Sequence, residues 1–268
     1  MKRWTLADGR HIHYRQAGRG APLVLLHGWS LSSAVFGEAL NALRDSFTVL
    51  VPDLPGHGLS SPGKDYRLTA LADDLNQWMA GLKLQQVRLL GWSLGGQIAL
   101  RMAGSDPQRL SRLLLVATTP RFLAGPDWSH GLAATRLRLL QRDLKRRPAA
   151  TLSSFFDSQF GPREIDAERR NQLHRTVSAA VFAAQPDALQ GGLKILAETD
   201  LRSELAGVKL PVLVQQGGVD AIIPEGAGRF LAENLPQAHL FLQPELGHAP
   251  FLSRLEISVE RWRRFFRP

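Results

Sequence analysis

The chain of 268 residues contains no cysteine. That absence excludes disulfides, thiolate metal sites and a cysteine nucleophile. No apolar run approaches the roughly 18 residues that a membrane span requires. Charge opens the chain at Lys2 and Arg3, but Asp8, Arg10 and His11 follow before any signal-peptide core can form. There is no internal repeat, no low-complexity linker, no zinc-finger spacing and no RNA-binding aromatic pattern. These absences point to a soluble, cytoplasmic chain with neither a membrane nor a nucleic acid as partner. What is present is globular in kind, with 44% hydrophobic and 21% charged residues. Lys and Arg number 33 against 24 Asp and Glu, a formal net charge of +9. Such an excess fits either simple solubility or an acidic partner, and its position along the chain decides between them.

Short apolar runs alternate with amphipathic stretches, the rhythm of a βαβ parallel sheet. Strands are expected at Leu23–Leu26, Phe47–Val51, Val87–Leu90, Leu113–Ala117, Val212–Gln215 and His239–Leu242, with an early antiparallel strand at His11–Arg15. Helices are expected at Ser33–Leu43, Thr69–Leu82, Leu94–Ser105, Glu225–Asn234 and Ile257–Phe266. The rhythm breaks after Ala117. From Arg121 to Gln190 no strand-like run occurs, and Leu132–Arg147 and Glu164–Ala184 have helical patterns punctuated by Pro148, Gly161-Pro162 and Pro186. The expected fold is of the α/β class, a mostly parallel sheet flanked by helices. Residues 1–120 and 191–268 would form its core. Residues 121–190 would form a helical lid over the strands' C-terminal edge, where open α/β sheets bind ligands.

The run Gly91-Trp92-Ser93-Leu94-Gly95-Gly96 lies between a strand and a helix, the setting in which a G-x-S-x-G pattern becomes informative. A serine on so tight a turn needs small residues two positions before and two after. The turn lifts its hydroxyl clear of the sheet and points the Leu94 amide at developing negative charge. Serine requires a base, and eight histidines compete for the role. His11 and His13 fall in the early strand, His57 in the turn Asp53-Leu54-Pro55-Gly56-His57-Gly58, His130 and His174 in the lid, and His239 at a strand start. His248, in Gly247-His248-Ala249-Pro250, follows the last strand and can reach the serine. Asp220 follows Val212–Gln215 and would fix the histidine tautomer, with Asp200 as the alternative. The order Ser93, Asp220, His248 fits α/β-hydrolases. The second oxyanion donor would be the amide of Trp29, after His27-Gly28, paired with that of Leu94. No metal or organic cofactor is required.

The elements His27-Gly28-Trp29, Asp53-x-x-Gly56-x-Gly58, Gly91-x-Ser93-x-Gly95, Asp220 and Gly247-His248 together resemble the α/β-hydrolase superfamily over nearly the whole chain. A narrower set resembles the pimeloyl-acyl-carrier-protein methyl ester esterases of biotin synthesis. It comprises Leu25–Trp29, Leu90–Gly96, Val116–Phe122, Gly191-Gly192-Leu193-Lys194-Ile195-Leu196 with Thr199–Arg202, and Gly247–Phe251. That resemblance implies substrate contacts from Trp29, Ser93, Leu94 and His248. It also implies a pocket segment in the lid, matched here by Phe155, Phe156, Asp157, Ser158 and Gln159. Asp157 departs from the family's apolar pattern.

The substrate implied is a pimeloyl chain with a methyl ester at one end and a thioester to an acyl-carrier protein at the other. Such carriers are acidic, so a basic dock is expected. In Leu132–Arg147 the cations Arg136, Arg138, Arg142, Lys145, Arg146 and Arg147 face a single acid, Asp143. Arg138, Arg142 and Lys145 recur on one helix face, while Leu137, Leu140 and Leu144 form an apolar stripe. Arg163, Arg169 and Arg170 add a second basic group. The alternative for such a charge run is a solvated face. The protein is expected to act as a monomer. Competing readings are a small-ester carboxylesterase or carbon–carbon bond hydrolase on the same scaffold, and a ligand receptor with little turnover.

Overall fold

A computed structural model describes residues 1–267 apart from 182–183, and the side chains of residues 177–181 are outside its scope. It contains one eight-stranded sheet in the order β1-β2-β4-β3-β5-β6-β7-β8. The strands are β1 (Lys2–Thr5), β2 (His11–Ala17), β3 (Pro22–Leu26), β4 (Thr48–Pro52), β5 (Val87–Trp92), β6 (Leu110–Val116), β7 (Val212–Gly217) and β8 (Ala238–Gln243). β1 and β2 pair antiparallel, and so do β2 and β4; from β4 through β8 every pairing is parallel. Parallel strands carry helices on both faces, which explains why Leu23–Leu26 and Leu113–Val116 are uninterrupted apolar runs with no exposed surface.

The helices of the core are α1 (Gly37–Leu43), α2 (Leu68–Gly81) and α3 (Leu94–Ser105). Between β6 and β7 come α4 (Ala134–Arg146), α5 (Pro148–Asp157), α6 (Ala167–Val181) and α7 (Pro186–Glu198); α8 (Glu225–Asn234), α9 (Pro250–Ser253) and α10 (Leu255–Phe266) complete the chain. α3 is buried along most of its length, from Leu94 to Leu100 without a break, whereas α2 buries one stripe. In α2 the buried residues Leu68, Leu71, Ala72, Leu75, Trp78 and Met79 recur at three- and four-residue spacing.

The expected helix at Ser33–Leu43 is split, with a 3-10 turn over Ser33–Phe36 preceding α1. β6 ends at Val116 because Ala117 turns to φ 44°. Three helices, α5, α7 and the short α9, and one strand go beyond expectation. Pro148 opens α5 instead of ending a helix, a role its fixed φ suits at a first helical position. α7 runs through residue 190 without a break. β1 is a four-residue edge strand whose only apolar residue is Trp4, a composition that leaves little apolar signal. The C-terminal ends of β3, β5, β7 and β8 open on one edge of the sheet, and the loops leaving them carry Trp29, Ser93, Asp220 and His248.

Candidate active site

Ser93 sits between β5 and α3 at φ 56°, ψ −120°, a conformation that a side chain other than glycine's adopts only when its surroundings enforce it. The surroundings are specific. The Ser93 amide donates to the Val116 carbonyl (3.0 Å), and its own carbonyl accepts from Gly96 N (2.9 Å) and Thr118 Oγ1 (2.7 Å). A methyl group on Gly91 would lie 2.4 Å from the Gly95 carbonyl oxygen. One on Gly95 would lie 2.5 Å from that of Leu26, and one on Gly96 2.5 Å from Thr118 Cβ. The three glycines therefore let strand, turn and helix approach one another. The serine side chain stays partly exposed at the sheet edge. Leu94 is the first residue of α3, so its amide has no helical acceptor. Among the described residues neither that amide nor the Trp29 amide donates to a protein acceptor.

His248 and Asp220 form a buried pair. His248 Nδ1 and Asp220 Oδ2 are 2.8 Å apart, with side chains 1% and 0% exposed. Asp220 is held in turn: Oδ1 accepts the amides of Ile222 (2.8 Å) and Ile223 (2.9 Å), and Gln216 Nε2 donates to Oδ2 (3.3 Å). A carboxylate so supplied with donors accepts from Nδ1–H, which leaves Nε2 as the imidazole's proton acceptor. Trp92 Nε1 donates to the His248 carbonyl (2.8 Å) and its ring packs 5.6 Å from the imidazole, tying the histidine loop to the residue beside Ser93. No hydrogen bond joins the His248 ring to Ser93 Oγ among the described residues. Such contacts are often long without substrate. Asp200 is elsewhere, in an exposed ion pair with Arg202.

Four of the other histidines are held by neighbours near the site or in the lid. His27 donates from Nδ1 to the Gly28 carbonyl (2.9 Å) and accepts the Leu54 amide at Nε2 (3.0 Å), so it ties the loop after β3 to the loop after β4. His57 stacks edge-on against it at 5.3 Å. Burial pushes His27 down to about 4 and His57 down to about 3. His174 contacts Asp157 (2.9 Å), and His130 packs against Trp128.

Trp29 closes the site from the β3 side. Its indole N–H donates to the Leu189 carbonyl (2.9 Å), and its ring meets Phe155 edge-on at 4.8 Å. The Gly191-Gly192 pair acquires a physical reason here. A Cβ on Gly192 would lie 2.5 Å from Trp29 Cδ1, and one on Gly191 2.2 Å from Tyr66 Cβ.

The segment 155–159 divides by face. Phe155 and Ser158 line a cavity of about 380 Å³ together with Phe122, Leu140, Arg136 and Arg147. Phe156 is buried against Phe160 and His174, and Asp157 pairs with Arg170 and His174 on α6. Gln159 is buried, and its carbonyl accepts the amides of His248 (2.7 Å) and Ala249 (3.2 Å). Neither Ser93 nor His248 lines the cavity. It adjoins them through Phe155, which packs on Trp29, and through Ala221 and Ile222, which follow Asp220.

The expected basic residues also divide. Arg138, Lys145 and Arg146 are exposed on α4, without an ion pair among the described residues, and Arg163 is exposed in the loop before α6. Arg142 lies against Asp143 (2.9 Å). Arg169 and Arg170 differ from a free docking surface. Arg169 bridges Glu38 (2.6 Å) and the Leu252 carbonyl (2.8 Å), and Arg170 pairs with Asp157 (2.9 Å), so both are committed to packing α6 on its neighbours. The arginines at the cavity, Arg136 and Arg147, were indistinguishable from the rest of the run by spacing alone. Among the described residues no cluster of His, Asp and Glu could hold a metal ion, and no helix is long and apolar enough to cross a membrane.

Residues 21–255 match the α/β-hydrolase fold family, and the chain belongs to it. Among solved structures it is similar to an esterase from Exiguobacterium antarcticum, with a TM-score of 0.89 and 26% identity over 98% of each chain. It is 39% identical over 242 residues to the pimeloyl-[acyl-carrier protein] methyl ester esterase of Nitrosomonas europaea, covering 90% of this chain and 94% of that one. To the same-named protein of Chromobacterium violaceum it is 36% identical over 237 residues, covering 88% and 90%. Within the α/β-hydrolases the chain thus belongs to the pimeloyl-[acyl-carrier protein] methyl ester esterase family.

Proposed function

We propose that this chain hydrolyses the methyl ester of a pimeloyl group carried on acyl-carrier protein, releasing methanol and leaving the thioester intact. The observation that carries the chemistry is the buried His248–Asp220 pair at the edge where Ser93 turns upward. The named relatives, aligned over nearly their full length, support the substrate.

Ser93 Oγ attacks the ester carbonyl as its proton passes to His248 Nε2. Asp220 stabilises the imidazolium that results. The oxyanion takes hydrogen bonds from the amides of Trp29 and Leu94, donors left without protein acceptors. His248 then protonates departing methanol. Water, deprotonated by His248, attacks the acyl-enzyme and frees Ser93.

The helical block 121–190 acts as a lid and a ruler. The cavity against α4 and α5 is apolar at Phe122, Leu140 and Phe155 and carries Arg136 together with the ion pair of Arg147 and Asp143 (3.4 Å), a lining suited to an acyl chain followed by a polar arm. With the carrier held outside, only the distal ester reaches Ser93. The more reactive thioester stays clear of it. The exposed cations Arg138, Lys145 and Arg146 supply the field that draws an acidic carrier to the entrance. Reversing Arg138 and Arg146 to Glu is expected to lower kcat/KM for the carrier-linked ester about tenfold or more at low salt. Hydrolysis of p-nitrophenyl acetate should stay level. Equal loss on both substrates, or no effect of salt on the carrier-linked ester, would refute carrier docking at α4.

A further inference from the structure

Just beyond the pocket segment, the lid segment contains a buried carboxylate that the mechanism above does not use. Glu164 follows Gly161-Pro162-Arg163 and is 5% exposed. Its Oε2 accepts the amide of Gly161 (2.5 Å), within its own turn, and the amide of Gly247 (2.7 Å), 83 residues later and immediately before His248. Its Oε1 accepts the hydroxyl of Ser253, at the end of α9. The Gln159 carbonyl takes the next two amides, His248 and Ala249. Three consecutive backbone donors of the histidine loop are therefore anchored on residues 159–164.

The fit leaves no slack. A Cβ on Gly247 would lie 2.7 Å from both the Gln159 carbonyl oxygen and the Gly161 nitrogen, and 3.0 Å from Glu164 Oε2. From the opposite side, a Cβ on Gly217 would lie 2.0 Å from the Gly247 carbonyl oxygen. The loop presenting the imidazole is thus gripped between the end of β7 and the lid. Oε2 carries only the donors that fix this arrangement, and Arg254 bonds Glu164 through its backbone carbonyl, not its carboxylate.

We propose that Glu164 is a positioning residue for His248, setting the imidazole through the Gly247 amide and making the base loop and the lid one mechanical unit. This rests on His248 being the general base. A carboxylate gives directed, charge-assisted acceptors to two amides and a hydroxyl at once. Without it, the Gly247 amide is buried unpaired and the loop can drift, and displacement of a catalytic group by about 1 Å can cost up to about a hundredfold in rate.

The test uses p-nitrophenyl acetate, which is too small to need the lid for binding, with the full-length protein. Glu164→Ala is expected to lower kcat about tenfold or more with KM within about twofold, and to move the acid limb of the kcat/KM–pH profile, which reports the base. Glu164→Gln keeps one oxygen for both amides and should restore most of the lost kcat. Ser253→Ala, which removes one donor from the carboxylate, should lower kcat more modestly and move the acid limb in the same direction. It carries the test if the alanine variant of Glu164 does not fold. An unmoved acid limb in both Glu164→Ala and Ser253→Ala, or no recovery in Glu164→Gln, would overturn the proposal. His248→Ala separates the two readings, because activity surviving that change would remove the base assignment itself.

Discussion

The strain at Ser93 is fixed by its neighbours and not by its own side chain. A residue in such a backbone region costs of order 1–3 kcal/mol. The Val116 carbonyl, the Thr118 hydroxyl and the glycines at 91, 95 and 96 hold it there. His27 and His57 illustrate a second cost of building the site. Both are fully buried, and burial holds them neutral, at about 4 and about 3 instead of the ordinary 6.5. In the unfolded chain they take up protons near 6.5, whereas in the folded chain they do so only much lower. The unfolded state therefore binds more protons between those limits, and folding stability falls as pH drops from about 6.5 towards 3. Each tenfold difference in proton affinity is worth about 1.4 kcal/mol. Tm should drop between pH 7 and pH 5, and less so in His57→Phe, which keeps the stacking ring without the titration. An equal drop in both proteins would show that His57 contributes nothing to acid sensitivity.

At the scale of elements, the turn after β3 and the helix α7 depend on each other. Trp29 bonds the Leu189 carbonyl and lies against Gly192. Gly192→Ala puts a methyl group 2.5 Å from the indole. The ring must shift, taking with it the amide opposite Leu94, so kcat for esters should fall several-fold or more. Gly104 in α3 has open space where its Cβ would be, so Gly104→Ala should raise stability by about 0.5–1 kcal/mol and leave kcat unchanged. Equal kcat in the two variants, measured on p-nitrophenyl acetate, would break the link between α7 and the site. Legibility also varied by element. α3 and α8 run from Leu94 to Ser105 and from Glu225 to Asn234 as the pattern of the residues predicts, because each follows a clear turn signal. The turn bearing Ser93 was legible because G-x-S-x-G is a local signal, and the loops bearing Asp220 and His248 because each follows a recognisable strand. β1 was not, since four residues at a sheet edge with a single apolar member, Trp4, are too few to show an alternation. α5 was hidden because Pro148 can end one helix or begin the next. Glu164 was hidden because two of its carboxylate's three partners are 83 and 89 residues away. Arg169 and Arg170 looked like Arg138 because a charge run does not say which members find acids across the fold.

The whole molecule divides its labour between a rigid sheet and a helical block that reaches back to it. The sheet edge carries Ser93, His248 and Asp220, the nucleophile, base and acid of the proposed mechanism. The block supplies the cavity walls, the anchor for the base loop and the exposed cations of α4. On the proposed function, the exposed cations of α4 favour an acidic carrier at one entrance, and holding the carrier outside selects which of two acyl bonds is cut. The most direct test is to incubate the protein with pimeloyl-carrier methyl ester and follow methanol and carrier thiol together. The wild-type protein should release one methanol per carrier while the thioester survives, and folded Ser93→Ala should release none. Free carrier thiol appearing ahead of methanol, or undiminished methanol release from Ser93→Ala, would contradict the account.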